Sequence, residues 1–463
     1  MKSVAAGVAA SHPATARAGM RVLESGGTAA DAAVAAVLAC CVAETIYTGL
    51  GGGGFATYFE ASTGQVTCLD FFVAVPGLDG DHSAADMVAV DVFFGGLPQI
   101  YSIGGASVAV PGVPAGLGEV HRRWGRLPWD EVVAPAAGLA RTGVLMPAAH
   151  ARTLESCATA LAYGDGAATY QPGGRLLQSD ELLFHSGLAT AMDALASDGP
   201  EVFYTGEYAK LLVATVREAG GAIGPADLAA YRVESVPVEH ASLAGYRVHA
   251  RRDLNRTVDT ISALPADLSR PHRAPAVADA LVNRGQQRLG DTTNVSVVDT
   301  EGNACVITTT LGLGAGVWLP GLGINLNSML GEGELLSEEL VPGQRMSSYM
   351  CPLVVTDPDG ELVVAAGSAG ASRIRTALVD TLLGVLVDGL SVPEAIARPR
   401  FHAVEDTVHA EAGCPPGDLA ALAEAGWQVV EWPDINHYFG GVTAVGRSGA
   451  AGDPRRGGVG LLV

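Results

Sequence analysis

Two adjacent threonines in the middle of this 463-residue chain have the type and position to do chemistry. Thr292 and Thr293 begin a strand-like run, 292–299, that directly follows the polar stretch 283–291. A threonine hydroxyl is a poor nucleophile without a neighbouring base. One solution cuts the chain before the threonine, so that the freed α-amine becomes the base. Cleavage between Asp291 and Thr292 would make this chain a self-processing hydrolase, and without it the sequence offers no obvious catalytic centre.

The amino-acid composition limits the kinds of partner that the chain is expected to bind. The net charge of −21 disfavours nucleic acid and anionic membrane surfaces, because both require a basic protein surface. The hydrophobic fraction of 48% allows a large core, and no uninterrupted apolar run has spanning length. The first residues do not form a signal-peptide core. We therefore expect a soluble, cytoplasmic protein with a small-molecule substrate.

Motifs for metals, disulfides and nucleotides are weak. The seven cysteines are scattered without a CxxC pair, and the eleven histidines show no HExxH spacing. We expect buried, unpaired cysteines, no metal and no cofactor. The glycine run 51–54 lacks the lysine and the Ser/Thr of a P-loop and precedes a strand, which favours a tight turn near a cleft over a nucleotide site.

The order of secondary elements predicts the fold class. Hydrophobic spacing predicts a buried helix at 29–44 and a mainly helical middle at 111–231. Residues 252–290 are polar and proline-bearing, as in a surface segment or linker. The other predicted elements are helices at 13–25, 374–387 and 392–397, and strands at 55–59, 65–71, 294–298, 305–310, 353–356, 362–366 and near Val429 and Val442. Strand pairs in one stretch and helices in another predict layered α+β packing.

Three further motifs are ordinary when taken singly. The threonines 308–310 read as a β-branched strand, and Ser347-Ser348 as a loop. The segment 367–372 leads into a helix and could present backbone N–H groups to a developing oxyanion. Their order and spacing relative to Thr292 strengthen the catalytic interpretation.

Ordered blocks over nearly the whole chain resemble the γ-glutamyltranspeptidase family. The matching blocks in the first part are 11–14, 26–33, 49–55, 110–112, 124–125, 127–129, 134–136, 203–204, Gly206 and 227–231. Those in the second part are 292–293, 302–303, 308–310, 326–327, 347–348, 351–352, Gly370, 372–374, 399–402, 439–440 and 453–455. Agreement of this many ordered blocks by chance is very improbable.

The resemblance implies a fold and a catalytic apparatus. Family members are N-terminal-nucleophile hydrolases with a four-layer αββα sandwich, made as a zymogen and cut into a large and a small portion. Here these portions would be residues 1–291 and 292–463, which would stay associated as one structural domain. The resemblance makes Thr292 the nucleophile, Thr310 its hydrogen-bond partner, and the N–H groups of Gly370 and Ala371 the oxyanion hole.

Departures from the family pattern concentrate on substrate recognition. The arginine that clamps the γ-glutamyl α-carboxylate falls at Phe72, which cannot make the bidentate contact. The asparagine near the α-amino group falls at Gly312, and a later acidic or amide pair falls at Met329 and Glu332. The usual histidine after the threonine pair is Asn294. The serines Ser347 and Ser348 are kept.

These departures predict retained nucleophilic chemistry with an altered acyl pocket. A plausible setting is specialised metabolism, because related proteins in 4-alkylproline antibiotic pathways are associated with hydrolytic C–C cleavage that removes an oxalyl-type group. A general amidase or acylase, or a true γ-glutamyl hydrolase or transferase, is the first alternative. The second is a non-catalytic binding homologue, motivated by Asn294 and the short region before Asp291.

Overall fold

The computed structural model describes residues 3–80, 83–94, 97–270, 272–282, 291–335 and 340–463. The strands in chain order are β1 Gly7–Ala10, β2 Gly53–Glu60, β3 Gln65–Phe71, β4 Val88–Phe94, β5 Leu97–Ile103, β6 Val144–Leu145, β7 Leu182–Leu183, β8 Glu234–Val236, β9 Val238–Leu243, β10 Tyr246–Arg251, β11 Thr293–Val298, β12 Ala304–Thr310, β13 Trp318–Leu319, β14 Ile324–Asn325, β15 Leu353–Thr356, β16 Leu362–Ala369, β17 Phe401–Val404, β18 Thr407–Ala410, β19 Gln428–Glu431, β20 Gly441–Gly446, β21 Gly449–Gly452 and β22 Val459–Leu462. The α-helices are α1 Pro13–Glu24, α2 Ala29–Ala43, α3 Val113–Trp124, α4 Trp129–Thr142, α5 Ala148–Ser156, α6 Ala158–Leu161, α7 Gly166–Tyr170, α8 Leu188–Asp198, α9 Glu207–Glu218, α10 Pro225–Ala230, α11 Thr257–Ser262, α12 Arg273–Leu281, α13 Arg373–Leu386, α14 Val392–Ala397 and α15 Pro416–Glu424.

Two antiparallel sheets form the centre of the molecule. The first has the strand order β22-β1-β11-β12-β2-β3-β8, and the second has the order β21-β20-β16-β15-β10-β9. Each sheet contains strands from both sides of the Asp291–Thr292 bond. Neither portion, 1–291 or 292–463, therefore completes a sheet without the other.

Side-chain alternation along the strands sorts the residues between two faces. In β11, Val295 and Val297 lie in the hydrophobic cluster shared with α1 to α4, whereas Val298 lies in the cluster between the sheets. Helices α1, α2 and α3 cover the outer face of the first sheet, and α11, α13 and α14 cover that of the second. The predicted four-layer αββα arrangement is confirmed.

Helix α2 lies at the centre of the outer layer on the first sheet. Thr28 and Asp31 form a reciprocal capping box at its N-terminus, with each side chain bonded to the other residue's backbone N–H. All fifteen residues of the helix are buried, as the sequence predicted. The helix ends directly before Glu44, so its packing fixes the position of that carboxylate.

The prediction of a surface segment or linker at 252–290 is wrong for much of its length. It contains α11 and α12, whose apolar side chains are buried against the second sheet; they are Val258, Ile261, Val277 and Leu281. Short helices separated by prolines show only weak periodicity, which is why the pattern was missed. Residues 271 and 283–290 lie outside the described ranges. The sequence also did not predict fourteen of the described strands, which are β1, β4 to β10, β13, β14, β17, β18, β21 and β22.

The seven cysteines are all free and buried, as expected. Among the described residues, no helix is both long enough and apolar enough to cross a membrane. The cytoplasmic location expected from the sequence stays a prediction.

Gly367 is a point where the two sheets approach too closely for a side chain. A β-carbon there would lie 1.9 Å from the side-chain amide of Asn294, on the opposing sheet. We expect Gly367→Ala to lower the free energy of unfolding by about 1–3 kcal/mol, because the added methyl overpacks the interface. The midpoint of urea unfolding measures this change.

Gly138→Ala is the matched control. Gly138 lies inside α4, and a β-carbon there would meet nothing within 4 Å. Alanine should leave stability unchanged or raise it by up to ~1 kcal/mol through helix propensity. Equal stability of the Gly367→Ala and Gly138→Ala proteins would contradict the described contact between the sheets.

Candidate active site

The register between β11 and β12 places Thr292 opposite Thr310. Thr293 pairs with Thr309 across the antiparallel β11–β12 ladder, so Thr292 lies across from Thr310 at the end of the sheet. The next strand, β2, begins beside them, with Gly53 paired to Thr310. The residues with candidate chemistry are therefore brought together by backbone pairing.

The carbonyl of the peptide bond between Asp291 and Thr292 is held by a hydroxyl. Thr310 Oγ1 donates to the carbonyl oxygen of Asp291 at 2.6 Å and accepts from the Gly312 N–H at 3.0 Å. Asp291, Thr292 and Thr310 are all buried. A donor aimed at a buried carbonyl polarises it and stabilises negative charge that develops on its oxygen.

The carboxylate of Asp291 is shared between two donors. Its Oδ1 accepts from the Thr292 backbone N–H at 2.9 Å and from Arg456 Nη1 at 2.5 Å. Burial raises the pKa of the Asp291 carboxyl, and the guanidinium of Arg456 opposes that shift. Burial also lowers the pKa of nearby His437 to about 3, with help from the charges of Arg456 and Arg373. Two guanidinium groups, those of Arg456 and Arg373, therefore act on the carboxylate beside the Asp291–Thr292 bond.

A buried carboxylate anchors the strand that carries the threonine pair. Glu44 accepts from the hydroxyl of Thr293 at 2.5 Å, from that of Thr15 at 2.7 Å, and from the thiol of Cys40 at 3.3 Å. Glu44 is fully buried, so these donors replace the water it loses. The contact joins α1, α2 and the start of β11 beside Thr292.

The glycine run 51–54 leads into β2 beside the threonines: a turn is closed at 49–52 by the Gly52 N–H donating to the Gly49 carbonyl, and Gly53 and Gly54 already belong to the strand. A β-carbon at Gly52 would lie 2.2 Å from the carbonyl oxygen of Thr310, so the chains touch through their backbones. The Gly52 carbonyl accepts from the N–H groups of Gly112 and Val113 at 2.8 and 3.1 Å. This close backbone approach supports Thr310, and the tight turn expected at 51–54 lies at 49–52 instead.

The predicted oxyanion residues follow β16 at the facing end of the second sheet. Gly370 and Ala371 have positive φ angles of 118° and 48°, and α13 begins two residues later. A β-carbon at Gly370 would lie 2.9 Å from Gly440 Cα. The adjoining Gly441 packs on Arg456, where its own β-carbon would lie 2.3 Å from Cδ. The role of Gly370 and Ala371 stays a prediction.

Phe72 lies in an apolar environment. Its side chain is fully buried and packs on Phe55, with ring centroids 5.7 Å apart, in a cluster that includes Met329. Its carbonyl accepts from the hydroxyl of Tyr231 at 2.7 Å. An arginine placed at this position would have to be buried among apolar side chains.

Gly312, Met329 and Glu332 are neighbours. A β-carbon at Gly312 would lie 2.5 Å from Glu332 Oε1 and 3.5 Å from Met329 Cε. Because the Gly312 N–H donates to Thr310, the group adjoins the candidate nucleophile. The structure thus brings these three predicted pocket residues to one place.

Ser347 and Ser348 lie on a segment held by an ion pair. Arg251 donates to the carbonyls of Ser348 at 3.3 Å and Met350 at 2.9 Å, and to Asp253 at 2.5 Å. The same Asp253 oxygen accepts from the Ser348 N–H at 2.8 Å. The guanidinium of Arg251 also stacks 3.8 Å from the Phe55 ring centroid, next to Phe72.

Asn294 has a different environment from the other predicted pocket residues. It is fully buried, and its side-chain amide contacts the hydroxyls of Thr308 and Thr443 at 2.5 Å and of Ser296 at 3.1 Å. Thr443 belongs to the second sheet, so Asn294 bridges the sheets. Its described contacts are with strand residues rather than with the predicted pocket.

Sequence reasoning missed the charged residues that hold the site. Arg456, Glu44 and Arg251 were not singled out, although the block 453–455 ends directly before Arg456. Asp291 lies 165 residues from Arg456, and Thr293 lies 249 residues from Glu44, so spacing carried no signal for these two pairs; Arg251 pairs with nearby Asp253 but contacts Ser348 97 residues away. Among the described residues, no group of three His, Cys, Asp or Glu side chains could hold a metal ion.

The Thr293–Glu44 contact can be tested by an isosteric change. Thr293→Val removes the hydroxyl and leaves the buried carboxylate with one donor fewer. We expect the free energy of unfolding to fall by about 1–3 kcal/mol, measured by urea denaturation. Thr293→Ser keeps the hydroxyl and should lose clearly less. If valine and serine were equally tolerated, the contact would not stabilise the start of β11.

Comparisons with known proteins agree with this geometry. The family model described as Gamma-glutamyltranspeptidase matches residues 15–253 and 251–463. The chain is 29% identical to the Acylase ACY 1 proenzyme of Pseudomonas sp. (strain V22), covering 95% of this chain and 89% of the relative. It is 28% identical to the Glutathione hydrolase proenzyme of Pseudomonas aeruginosa, covering 98% and 94%.

Solved structures share the whole fold at lower sequence identity. A cephalosporin acylase from Bacillus halodurans has a TM-score of 0.82 at 22% identity, covering 100% of this chain and 96% of that one. The protein LmbA2991HD has a TM-score of 0.80 at 22% identity, covering 100% and 98%. With the family model matched over nearly its full length, this chain belongs to the γ-glutamyltranspeptidase family of N-terminal-nucleophile hydrolases.

Proposed function

We propose that this protein cuts its own Asp291–Thr292 bond and then acts as a hydrolase with Thr292 as nucleophile. The observation that carries the proposal is the 2.6 Å hydrogen bond from Thr310 to the carbonyl of that bond. The bond is buried at the end of the sheet, with its N–H and its carbonyl both held. The proenzyme names of the acylase and glutathione hydrolase relatives also support cleavage into associated fragments.

Self-cleavage uses the groups around the bond. Thr292 Oγ adds to the carbonyl carbon of Asp291, and the Thr310 hydroxyl stabilises the negative charge on the carbonyl oxygen. The C–N bond breaks, and the nitrogen takes the proton released by the hydroxyl. Water then hydrolyses the resulting ester, which leaves a carboxylate on Asp291 and a free α-amine on Thr292.

The freed α-amine is the base for turnover. It accepts the Thr292 hydroxyl proton as Oγ attacks an acyl donor, and gives a proton to the leaving group. Water then releases the acyl group from Thr292. An α-amine acts as a base only when it is neutral, and a nearby cation favours that form. Arg456 shares an acceptor with the Thr292 nitrogen and therefore supports this role.

The acyl pocket supports a substrate other than a γ-glutamyl compound. At the position of the family's carboxylate clamp, Phe72 is fully buried in an apolar cluster with Met329. Arg251, which stacks on the neighbouring Phe55 ring, is already paired with Asp253. Loss of a charged clamp costs roughly 1.5–3 kcal/mol per hydrogen bond, so γ-glutamyl amides should be poor substrates.

A finer proposal concerns the bond that is cut. Hydrolytic C–C cleavage that removes an oxalyl-type group, as in 4-alkylproline antibiotic pathways, needs the same attack on a carbonyl. The electron pair of the broken bond then passes to a stabilised carbon, which takes the proton. A general acylase or amidase is the alternative, favoured by the acylase among the relatives.

Substitution of Thr292 tests self-cleavage directly. The Thr292→Ala protein should remain a single chain during incubation at neutral pH, whereas wild type should give two fragments that meet between Asp291 and Thr292. Thr292→Ser keeps a hydroxyl and should still cleave. Intact mass and a denaturing gel report the outcome. A wild-type chain that stayed whole for days would refute the proposal.

Thr310 gives a second test that leaves the nucleophile in place. Thr310→Val removes the donor to the Asp291 carbonyl with little change in shape. We expect the cleavage rate to fall roughly 100-fold or more, as when one oxyanion donor is removed. Thr310→Ser should cleave at a rate near that of wild type. Equal rates for valine and serine would show that this hydroxyl does not assist cleavage.

A further inference from the structure

Arg456 is a buried cation that pairs with the carboxylate of Asp291. The proposed self-cleavage would detach Asp291 from Thr292. The side chain of Arg456 is 2% exposed, and its Nη1 donates a hydrogen bond to Asp291 Oδ1. Arg456 Nε is buried without a hydrogen-bond partner among the described residues, and so is Asp291 Oδ2. The pair is therefore less fully bonded than a buried structural ion pair should be.

The other buried ion pair of the same block gives a contrast. Arg455 donates to both oxygens of Glu411, to Asp453, and to backbone carbonyls of Ile396 and Arg398. That network joins elements that stay within 292–463. Arg456, one residue further on, reaches across the cleavage point instead.

The position of Arg456 is fixed by its surroundings. Its Cδ would lie 2.3 Å from a β-carbon at Gly441, so only glycine allows this approach. Its guanidinium carbon lies 5.1 Å from the ring centroid of Tyr47. A cation held between an aromatic ring and a glycine backbone needs no rearrangement to receive a new anion.

Asp291 of the uncleaved chain shows which kind of acyl group can contact both Arg456 and Thr310. In self-cleavage the acyl donor is Asp291, whose side-chain carboxylate is separated from the attacked carbonyl by two carbons, Cα and Cβ. The carboxylate lies on Arg456 while the carbonyl lies on Thr310. This is the spacing of a succinyl group.

We propose that Arg456 is the anion-binding residue of the acyl pocket, occupied by the Asp291 side chain before cleavage and by a carboxylate of the substrate's acyl group afterwards. The substrates are acyl donors in which two carbons separate a carboxylate from the scissile carbonyl, as in a succinyl group. This inference rests on the proposed hydrolase function and names its acyl specificity. A γ-glutamyl group, with three intervening carbons and an amine, fits this spacing less well.

Turnover would follow the same steps as self-cleavage. Thr292 Oγ bonds to the carbonyl carbon, the bond to the leaving group breaks, and the leaving group takes the proton from the Thr292 ammonium. Water hydrolyses the ester and releases the dicarboxylic acid. Arg456 is unchanged throughout and orients the acyl group through a charge-assisted hydrogen bond.

Binding to an uncleaved chain tests the inference without any turnover. In the Thr292→Ala protein, Asp291 still covers Arg456, so succinate should not raise the melting temperature. In the Thr292→Ala, Asp291→Ala double variant, millimolar succinate should raise it, and adding Arg456→Met should abolish the shift. A succinate response that is the same with and without Asp291, or that survives Arg456→Met, would overturn the inference.

Kinetic measurements on the self-cleaved wild-type protein are the second test of the inference. Succinyl anilides should be hydrolysed with kcat/KM roughly 10- to 100-fold above glutaryl, γ-glutamyl and uncharged propionyl anilides. Free succinate should inhibit competitively, and Arg456→Met should remove the preference for charged acyl groups. Arg152→Met, which removes an exposed arginine, is the control and should keep the preference.

The outcomes separate this inference from the proposed function. Equal hydrolysis of propionyl and succinyl anilides without inhibition by succinate would refute the role of Arg456 and leave the hydrolase intact. A protein that binds succinate through Arg456 but neither cleaves itself nor turns over any anilide would refute the hydrolase and retain the anion site. If the Arg456→Met protein fails to fold, inhibition of wild type by succinate decides the question.

Discussion

The antiparallel pairing of β11 with β12 is the constraint on which the rest of the site depends. It places Thr292 across from Thr310, so that a hydroxyl meets the carbonyl of the Asp291–Thr292 bond. A slip of one residue would turn every side chain of β11 to the other face of the sheet. Thr293 would then lose Glu44, and the valines that pack on the helices would face the second sheet. The same strand register therefore sets both the core packing and the position of the Asp291–Thr292 bond.

Two buried charged residues, Glu44 and Arg456, hold the chain on either side of the Asp291–Thr292 bond. Glu44 ties β11 to the helical layer from one side, while Arg456 reaches the Asp291 carboxylate from the end of the chain. Both charges are removed from water, and each is compensated by a partner on a distant element. The two sides of the Asp291–Thr292 bond are therefore held by different parts of the fold, and cutting the bond need not disturb the strands that position Thr292.

The candidate acyl pocket combines the threonine that the family resemblance makes the nucleophile with altered surroundings. Where the family resemblance implies a charged clamp, Phe72 and Phe55 pack together, and Arg251 is occupied by Asp253 and the carbonyls around Ser348. The guanidinium groups that act on the carboxylate beside the reactive bond are instead those of Arg456 and Arg373. The position of Arg456 relative to Thr292 would set the length of the acyl group that can contact both residues.

The sequence by itself indicated the layered fold and eight of the strands, because these depend on local patterns, and it singled out Thr292 as the candidate nucleophile. A threonine pair at the start of an alternating run, a capped alanine-rich helix and ordered family blocks are all readable along the chain. Tertiary structure alone decided which charges meet at the site, since Arg456 and Glu44 lie far from their partners in sequence. It also decided that Asn294 bridges the sheets and that α11 and α12 belong to the core. Such facts depend on which surfaces come together when the sheets pack, and residue spacing carries no record of that.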